Sequence, residues 1–407
     1  MSQTEENKTI WNLDLPSLHR TFTKQFMFGN IVSPRDFDDS ELMEMIKHHY
    51  NAITAENAMK PVYITSSPGV YDFENADKIV GWAVENKISL IGHTLIWHGQ
   101  SAPWLNKKPD GSPLTRAEAV TNMEAFIKEY VSRYSGKVYS WDVINEAFRD
   151  EDGEFKGNWR DYLRGESENP RAVGHWYLAY SNGAKDGESG GDFVFDAFRF
   201  ARKYDPKAVL YYNEYNEEQP VKREAIAQMT EEINEEWKNH PDYDGRLLIE
   251  GIGMQCHYNH LNFDPDLIRK AIERFAKTGA RIAATELDIT FGSSEVPAVP
   301  ITAEQTKSQA EMYTSLFRIF MEYSEHIERV TFWGKNDVQS WRSWGSPTLF
   351  HGDGRAKESF HKITALKLGK TLKVDCPCAN RDCPRHGDCA PCRESHAKRE
   401  SLPGCER

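Results

Sequence analysis

The sequence predicts an α/β protein: a single (β/α)8 TIM barrel with a short Cys-rich carboxy-terminal tail. The chain of 407 residues is long enough for one large core. Short apolar segments recur along it, each followed by a longer amphipathic segment, which is the pattern of repeated βα units. Six of the seven cysteines lie between Cys376 and Cys405. We therefore predict a lead-in over 1–21, a barrel over 22–370 and a Cys/His-rich tail over 371–407.

Eight apolar or β-branched segments have the length of strands, and we predict barrel strands at 26–31, 52–55, 89–95, 138–144, 209–212, 251–256, 281–287 and 329–333. The amphipathic segments predict helices at 40–50, 75–86, 115–134, 192–203, 222–238, 265–277, 303–323 and 359–368. In such a barrel the loops that follow strands form the binding face. The long connection 149–191, which contains Trp159, Trp176, Tyr177 and Tyr180, is therefore expected to serve binding.

The composition restricts the class of partner. The formal net charge is −12 and the sequence pI is about 5.7, which argues against nucleic acid and anionic membrane surfaces. Aromatic residues make up 12% of the chain, so some are expected to line a cleft that stacks on its ligand. The first 15 residues lack a secretory pattern, and no segment has the roughly 18 to 20 apolar residues of a membrane helix. We expect a soluble, cytoplasmic protein.

Two predicted strands end in a glutamate. Glu146 follows the strand at 138–144, and Glu286 lies at the end of the strand at 281–287. A single such residue is often only the start of a helix, but two of them at the carboxyl edge of one parallel sheet are candidate catalytic groups. Strict alternation cannot turn both Asn145 and Glu146 inward, so we expect a twist or bulge there.

The other strand ends carry amides, imidazoles, one lysine and several indoles. They are Glu56, Asn57, Lys60, His93, Trp97, His98, Gln100, Tyr212, Gln255, His257, Asp288, Trp333 and Trp341. Sugar hydroxyls need many donors and acceptors, and apolar sugar faces pack on aromatic rings, so this set is typical of a sugar site. Known metal and phosphate motifs do not occur here, and His93 and His98 lack the i, i+4 spacing of a helical metal pair.

Five motifs together resemble the glycoside hydrolase family 10 endo-β-1,4-xylanases. They are GHTLIWHGQ at 92–100, WDVINEAF at 141–148, LYYNEYN at 210–216, GIGMQCH at 251–257 and TELDI at 285–289. The resemblance runs from about residue 22 to about residue 368 and leaves out the tail. It implies xylan or xylo-oligosaccharides as substrate, no cofactor for catalysis, Glu146 as the acid/base and Glu286 as the nucleophile.

The resemblance also implies roles for the remaining strand-end residues. Glu56, Asn57, Lys60, His93, Trp97 and Gln100 would bind the sugar on the non-reducing side, Asn145 would reach the 2-hydroxyl, Gln255 and His257 would surround the nucleophile, Tyr212 would face the leaving group, and Trp333 and Trp341 would roof the site. An imidazole between Glu286 and Asp288 would hold the nucleophile ionised. Two departures from the family pattern occur, at Cys256 and at Lys335-Asn336. The second leaves both tryptophans in place and bears on fine substrate preference, not on catalysis.

Two other functions fit parts of the pattern. A non-catalytic sugar-binding barrel would keep the aromatic and amide residues but has no need of both glutamates. A related β-1,4-glucanase acting on cello-oligosaccharides would differ only in room for a hydroxymethyl group, which we expect Gln100 and Trp341 to set. Retention of configuration would follow if the two carboxyl groups lie roughly 5 to 5.5 Å apart.

The tail holds eight potential metal ligands. They are Cys376, Cys378, Cys383, His386, Cys389, Cys392, His396 and Cys405. This number suits two tetrahedral zinc ions, and the C-x-x-C pair at 389–392 has the spacing of a zinc knuckle. An iron–sulfur cluster and a disordered, redox-sensitive tail are the alternatives. We predict structural zinc and a role in interaction or stability, with a partner that the sequence does not identify.

Overall fold

The computed structural model describes residues 9, 11, 13–367, 389–398 and 401–403. Eight parallel strands form a closed barrel in chain order, because the last strand pairs with the first. They are β1 (Met27–Val32), β2 (Ala52–Ala55), β3 (Ser89–Trp97), β4 (Ser140–Asn145), β5 (Val209–Glu214), β6 (Gly251–Met254), β7 (Arg281–Thr290) and β8 (Ile327–Phe332). The predicted (β/α)8 barrel is confirmed.

A main helix follows each strand of the barrel. These helices are α1 (Ser40–His49), α2 (Glu74–Asn86), α3 (Arg116–Tyr134), α4 (Phe193–Tyr204), α5 (Pro220–Lys238), α6 (Pro265–Ala276), α7 (Ala303–Glu322) and α8 (Glu358–Lys367). Local sequence fixes where they begin: α3 has a capping box between Thr115 and Glu118, and α5 and α6 begin with proline, whose missing N–H costs nothing at that position.

The predicted bounds differ from the observed ones mainly at the carboxyl ends of strands. β3 continues to Trp97 and β7 to Thr290, so both strands extend beyond their predicted ends, and the extension of β7 includes the polar residues Asp288 and Thr290. β6 instead ends at Met254, because Cys256 has a φ of 58° and so lies outside the β region. A short strand, His257–Asn259, then resumes the pairing with β7.

The amino-terminal lead-in packs on the barrel. Trp11, Leu15 and Leu18 are buried in the same hydrophobic core as the residues between strands and helices. The short helix Leu18–Thr21 packs against α1 and α8, at the closure between β1 and β8. Across the part of the chain that the structure describes, no helix has the length and hydropathy needed to span a membrane.

Candidate active site

A cleft of about 790 Å³ opens at the carboxyl ends of the barrel strands. It brings together fourteen of the residues that the sequence places at strand ends: Glu56, Asn57, Lys60, His93, Trp97, His98, Gln100, Asn145, Glu146, Gln255, His257, Glu286, Trp333 and Trp341. We call the part around Lys60 and Gln100 the β2–β3 half. The β4–β5 half is lined by Asp150, Arg164, Asn169, Arg171, Ala172 and Tyr215.

Glu146 lies directly after β4 and reaches the cleft because the backbone leaves the strand geometry. The pairing of β4 with β5 shifts register between Asp142 and Ile144, and Glu146 has a φ of 57°. These features are the irregularity expected at Asn145 and Glu146, and they let both side chains line the cleft. Trp97 Nε1 and Gln255 Nε2 each donate to a different carboxyl oxygen of Glu146, both at 2.9 Å.

The surroundings of Glu146 favour its protonated form. Burial raises the pKa of its carboxyl group, and the carboxylates of Glu214 and Glu286 raise it further. The hydrogen bonds from Gln255 and Trp97 act in the opposite direction without reversing the shift. A buried carboxylic acid of this kind can donate a proton near neutral pH.

Glu286, on β7, has the opposite shift. Burial alone would raise its pKa, but a hydrogen bond from His257 and electrostatic interactions with His93, His257 and Lys60 lower it. Oε1 accepts a hydrogen bond from Asn213 Nδ2 at 2.9 Å, and Oε2 accepts one from His257 Nε2 at 3.1 Å. The two opposite shifts favour an ionised Glu286 beside a protonated Glu146, which is the division that acid and nucleophile require.

His257 bridges the two acidic residues of β7, as the sequence predicts. Its Nδ1 donates to Asp288 Oδ2 at 3.0 Å while Nε2 contacts Glu286. Burial alone would lower the pKa of His257, but the two carboxylates raise it to about 10. The ring is therefore charged at neutral pH, and both nitrogens donate. The other oxygen of Asp288 accepts from Arg342 Nη1 at 2.5 Å, so Asp288 lies behind the cleft and holds His257 in place.

Asn213, which was not among the residues predicted for the site, connects the surroundings of the two glutamates. Its Nδ2 donates both to Asn145 Oδ1 and to Glu286 Oε1, each at 2.9 Å. Its Oδ1 accepts from Thr285 Oγ1 at 2.6 Å. It passes so close to Gly253 that a Cβ there would lie 2.3 Å from Asn213 Oδ1. Two-residue alternation along β5 was the signal that could have identified it, because Asn213 shares the inward face with Tyr211.

The β2–β3 half of the cleft is held together by Lys60. Its ammonium group donates to Asn57 Oδ1 at 2.9 Å and to Gln100 Oε1 at 2.8 Å, and it lies 5.1 Å from the ring of Trp97. Glu56 is fixed separately by the hydroxyl of Ser33 at 2.8 Å. Donors, acceptors and an indole ring thus alternate along this half, as a hydroxyl-rich ligand requires.

The loop after β8 covers the cleft. Trp333 is buried against His93, whereas Trp341 is 58% exposed and lies edge-on to His257 at 5.1 Å between ring centroids. Lys335 turns away from the cleft to a buried ion pair with Asp36 at 2.9 Å. Neither Lys335 nor Asn336 lines the cleft, so this departure from the family pattern does not alter its surface.

The prediction for Tyr212 is wrong. The side chain is fully buried; its hydroxyl donates to Glu214 Oε2 at 2.7 Å and accepts from the main-chain N–H of Ala147 at 3.1 Å. Tyr212 faces away from the barrel axis because it alternates with Asn213 along β5. Tyr215, beyond the strand, is the tyrosine that lines the cleft. Glu214, whose charge raises the pKa of Glu146, was also not selected.

The connection 149–191 serves the cleft through polar residues, not through its large aromatic ones. Trp159, Trp176 and Tyr180 are buried in the hydrophobic core. Arg164, from the same connection, donates from Nε to the carbonyl of Glu146 at 2.9 Å and from Nη2 to the hydroxyl of Tyr215 at 2.7 Å. The buried aromatic residues of this connection therefore hold the loop against the core. Arg164 fixes the main chain at Glu146.

Most of the predicted zinc ligands lie outside the described residues. Cys376, Cys378, Cys383, His386 and Cys405 belong to this set, and of Cys389 only the helical backbone is described. Cys392 and His396 are four residues apart on the helix Cys389–Ala397, and His396 Nδ1 contacts Ser401 Oγ at 2.8 Å. Among the described residues, no group of three or more His, Cys, Asp or Glu side chains is arranged to hold a metal.

The chain is similar along most of its length to proteins of a known family. The model of glycosyl hydrolase family 10 matches residues 17–366. An endo-1,4-beta-xylanase B of Paenibacillus barcinonensis is 32% identical over 86% of this chain and 98% of its own length. An endo-1,4-beta-xylanase of Geobacillus stearothermophilus is 32% identical over 86% of this chain and 99% of its own length.

Solved structures show the same similarity. A xylanase from Paenibacillus barcinonensis, complexed with a conduramine derivative, superposes with a TM-score of 0.74 at 32% identity, covering 87% of this chain and 99% of that one. A mutant protein in complex with xylotriose superposes with a TM-score of 0.73 at 30% identity, covering 86% and 99%. The chain spans only 31% of the longer endo-1,4-beta-xylanase A of Thermotoga maritima, to which it is 35% identical.

Proposed function

The chain belongs to glycosyl hydrolase family 10, and from that premise we propose that it hydrolyses internal β-1,4 bonds between xylose units with retention of configuration. It is a glycoside hydrolase of the endo-1,4-β-xylanase type. The observation that carries the assignment of roles is the pair of glutamates in one cleft, Glu146 with a raised pKa and Glu286 with a lowered one.

The reaction follows from these two protonation states. Glu286 attacks the anomeric carbon while Glu146 donates its proton to the departing glycosidic oxygen, so that a glycosyl-enzyme forms. Glu146, now ionised, then removes a proton from a water molecule that attacks the same carbon from the opposite side. Two inversions restore the original configuration. No step requires a cofactor.

The cleft also supports a direction for the substrate. The β2–β3 half, with Glu56, Asn57, Lys60 and Gln100, would hold the glycone, which becomes attached to Glu286. The β4–β5 half lies on the side of Glu146, the proton donor, and would hold the leaving group. Asn145 lies between them, within hydrogen-bonding distance of Asn213 and Gln255, where it can reach the 2-hydroxyl of the reacting sugar.

Product stereochemistry tests this function directly. Short incubations with xylohexaose, followed by proton NMR before mutarotation, should show the β-anomer as the first product and xylose chains shorter than the substrate. Cello-oligosaccharides of the same length should be poorer substrates. An α-anomer as the first product would exclude the double-displacement mechanism, and a preference for cello-oligosaccharides would favour a β-1,4-glucanase.

The cellular location and the natural chain length stay predictions. A cytoplasmic enzyme would meet imported xylo-oligosaccharides, whereas an exported one would meet polymeric xylan. Fractionation of intact cells of the source, with a cytoplasmic marker enzyme as control, tests the location. If most of the activity were found in the medium, the prediction of a cytoplasmic location would be contradicted.

The tail supports a separate proposal, structural zinc. The support is the eight Cys and His residues between Cys376 and Cys405 together with the four-residue spacing of Cys392 and His396 on one helix, which places both on the same side. Protein purified without chelator should contain about two zinc ions per chain, by the four-ligand rule for structural sites. The same metal content after truncation at Lys373 would contradict the proposal.

A further inference from the structure

The β4–β5 half of the cleft contains two arginines with different environments. Arg164 is 7% exposed, and its guanidinium is bound to the carbonyl of Glu146 and to the hydroxyl of Tyr215. Arg171 comes from the same connection and also lines the cleft, but its side chain is exposed. Arg164 therefore stabilises the main chain and Tyr215 through its hydrogen bonds. The guanidinium of Arg171 makes no comparable contact with the described residues.

The guanidinium of Arg171 has no hydrogen bond or ion pair to the described part of the chain. Its backbone is nevertheless fixed: the main-chain N–H donates to Asn169 Oδ1 at 3.1 Å, and the N–H of Ala172 donates to the carbonyl of Asn169 at 2.9 Å. Glu166 and Glu168 lie in the same loop and form no ion pair with it. The turn thus presents an unpaired cation at the edge of the cleft.

The other charges of this half do not neutralise Arg171. Asp150 is the one acidic residue that lines the half, and it is paired with Lys222 Nζ at 2.9 Å and accepts from the hydroxyl of Tyr215 at 2.6 Å. The chain as a whole carries a formal charge of −12, so the charge of Arg171 is opposite in sign to the net charge of the protein. Among the described residues, Arg171 therefore offers a guanidinium without a counter-ion where the leaving group would lie.

A neutral xylose chain gives such a group little to bind, because hydroxyls only replace the water that already solvates an exposed guanidinium. A carboxylate differs, since it accepts two parallel hydrogen bonds from the planar guanidinium and carries the opposite charge. We propose that Arg171 binds the carboxylate of a uronic acid side group on the leaving-group part of the substrate. The inference rests on the proposed function and adds a specificity: acidic, branched xylo-oligosaccharides are preferred to neutral ones.

The test compares two substrates that differ only in charge. One is a xylo-oligosaccharide with a single uronic acid branch on the leaving-group side, and the other is the same compound with its carboxyl group reduced to an alcohol. Because the measured quantity is the ratio of their kcat/KM values, any change in turnover common to both cancels. The unaltered enzyme should favour the acidic substrate by about three- to tenfold at low ionic strength, in the range of a partly exposed charge pair. Added salt should reduce the ratio.

Substitutions assign the effect to the residue. Arg171→Gln should bring the ratio to about one, and Arg171→Lys, which keeps the charge but not the planar fork, should give an intermediate ratio. Arg20→Gln, at the other end of the barrel in the helix Leu18–Thr21, makes the same change in net charge and should leave the ratio at its original value. A ratio of one in the unaltered enzyme, or an unchanged ratio in Arg171→Gln, would overturn this inference alone. Failure to cleave any xylo-oligosaccharide would overturn the proposed function as well.

Discussion

At the scale of single residues, two identical side chains are made different by their neighbours. Glu146 and Glu286 are both buried, and burial raises the pKa of any carboxyl group. Only Glu286 has a charged imidazole in contact, with His93 and Lys60 nearby, and its pKa is lowered. The sequence identified both glutamates and His257 because each stands at a strand end. It did not identify Asn213 or Glu214, although both lie in the motif at 210–216, because they are buried beneath the cleft and act through the two glutamates.

Removal of each glutamate should have a different result. Glu146→Ala should lower kcat/KM on xylo-oligosaccharides by about 10²- to 10⁴-fold, yet still form a glycosyl-enzyme from an aryl xyloside whose leaving group needs no proton. Glu286→Ala should abolish turnover of both substrates, since nothing replaces the nucleophile. Steady-state kinetics and mass spectrometry of the trapped intermediate measure this. Equal losses on the activated substrate would contradict the assignment.

His257→Gln should move the acidic limb of the kcat/KM profile to higher pH. Activity requires Glu286 ionised, so this limb follows the pKa of Glu286, and the basic limb follows loss of the proton from Glu146. Charged His257 lowers the pKa of Glu286, so a neutral glutamine, which still donates one hydrogen bond, lets that pKa rise. Trp97→Phe is the matched comparison. It removes a donor that lowers the pKa of Glu146 and should move only the basic limb, also to higher pH.

At the scale of elements, the barrel strands position the site residues, and irregularities at the strand ends orient the side chains toward the cleft. The sequence predicted every barrel strand from its apolar run, because burial between barrel interior and helices selects apolar residues. It could not predict that β6 stops at Met254 or that Cys256 has a φ of 58°, since no glycine marks the change. That conformation lies between Gln255, which contacts Glu146, and His257, which contacts Glu286.

Gly253→Ala tests the contact between β5 and β6. The new Cβ would lie 2.3 Å from Asn213 Oδ1 and 2.9 Å from Thr285 Cγ2, so the side chain of Asn213 must shift, which disturbs its hydrogen bond to Glu286. We expect a loss of about 1–3 kcal/mol in the free energy of unfolding, as for other overpacked sites, together with a lower kcat. Denaturant unfolding and kinetics measure the two effects.

Gly81→Ala is the control for that substitution. Gly81 lies inside α2, and a Cβ there meets no atom within 4 Å. Alanine should therefore stabilise the helix by roughly 0.5–1 kcal/mol and leave kcat unchanged. If Gly253→Ala changed the free energy of unfolding and kcat as little as Gly81→Ala does, the close packing between β5 and β6 would not be needed for activity.

At the scale of the whole molecule, the barrel is closed by the pairing of β8 with β1 and by a buried ion pair. Lys335, after β8, contacts Asp36, after β1, at 2.9 Å, and both are nearly inaccessible to solvent. The βα repeat predicted eight units and their closure. It did not predict that Trp11 and Leu15 join the core, because the short apolar stretch of the lead-in belongs to no βα unit.

Lys335→Met should destabilise the barrel by about 3–5 kcal/mol, because it leaves the charge of Asp36 buried and unpaired. The double variant Lys335→Met with Asp36→Leu should recover part of this loss. Lys78→Met, which breaks an exposed pair with Asp38, should cost no more than about 1 kcal/mol. Denaturant midpoints measure the series. A double variant less stable than Lys335→Met alone would contradict this account.

Because the helix Leu18–Thr21 packs against α8, the two ends of the barrel sequence lie close enough for the chain to be connected in a different order. The point where the chain enters the barrel lies beside the last helix of the final βα unit. A short linker could therefore join these two points without crossing the barrel. New amino and carboxyl termini could then be placed in an exposed loop elsewhere in the barrel, such as the one around Gly245 between α5 and β6. Circular permutants of this kind should retain the cleft intact, since every strand keeps both of its neighbours.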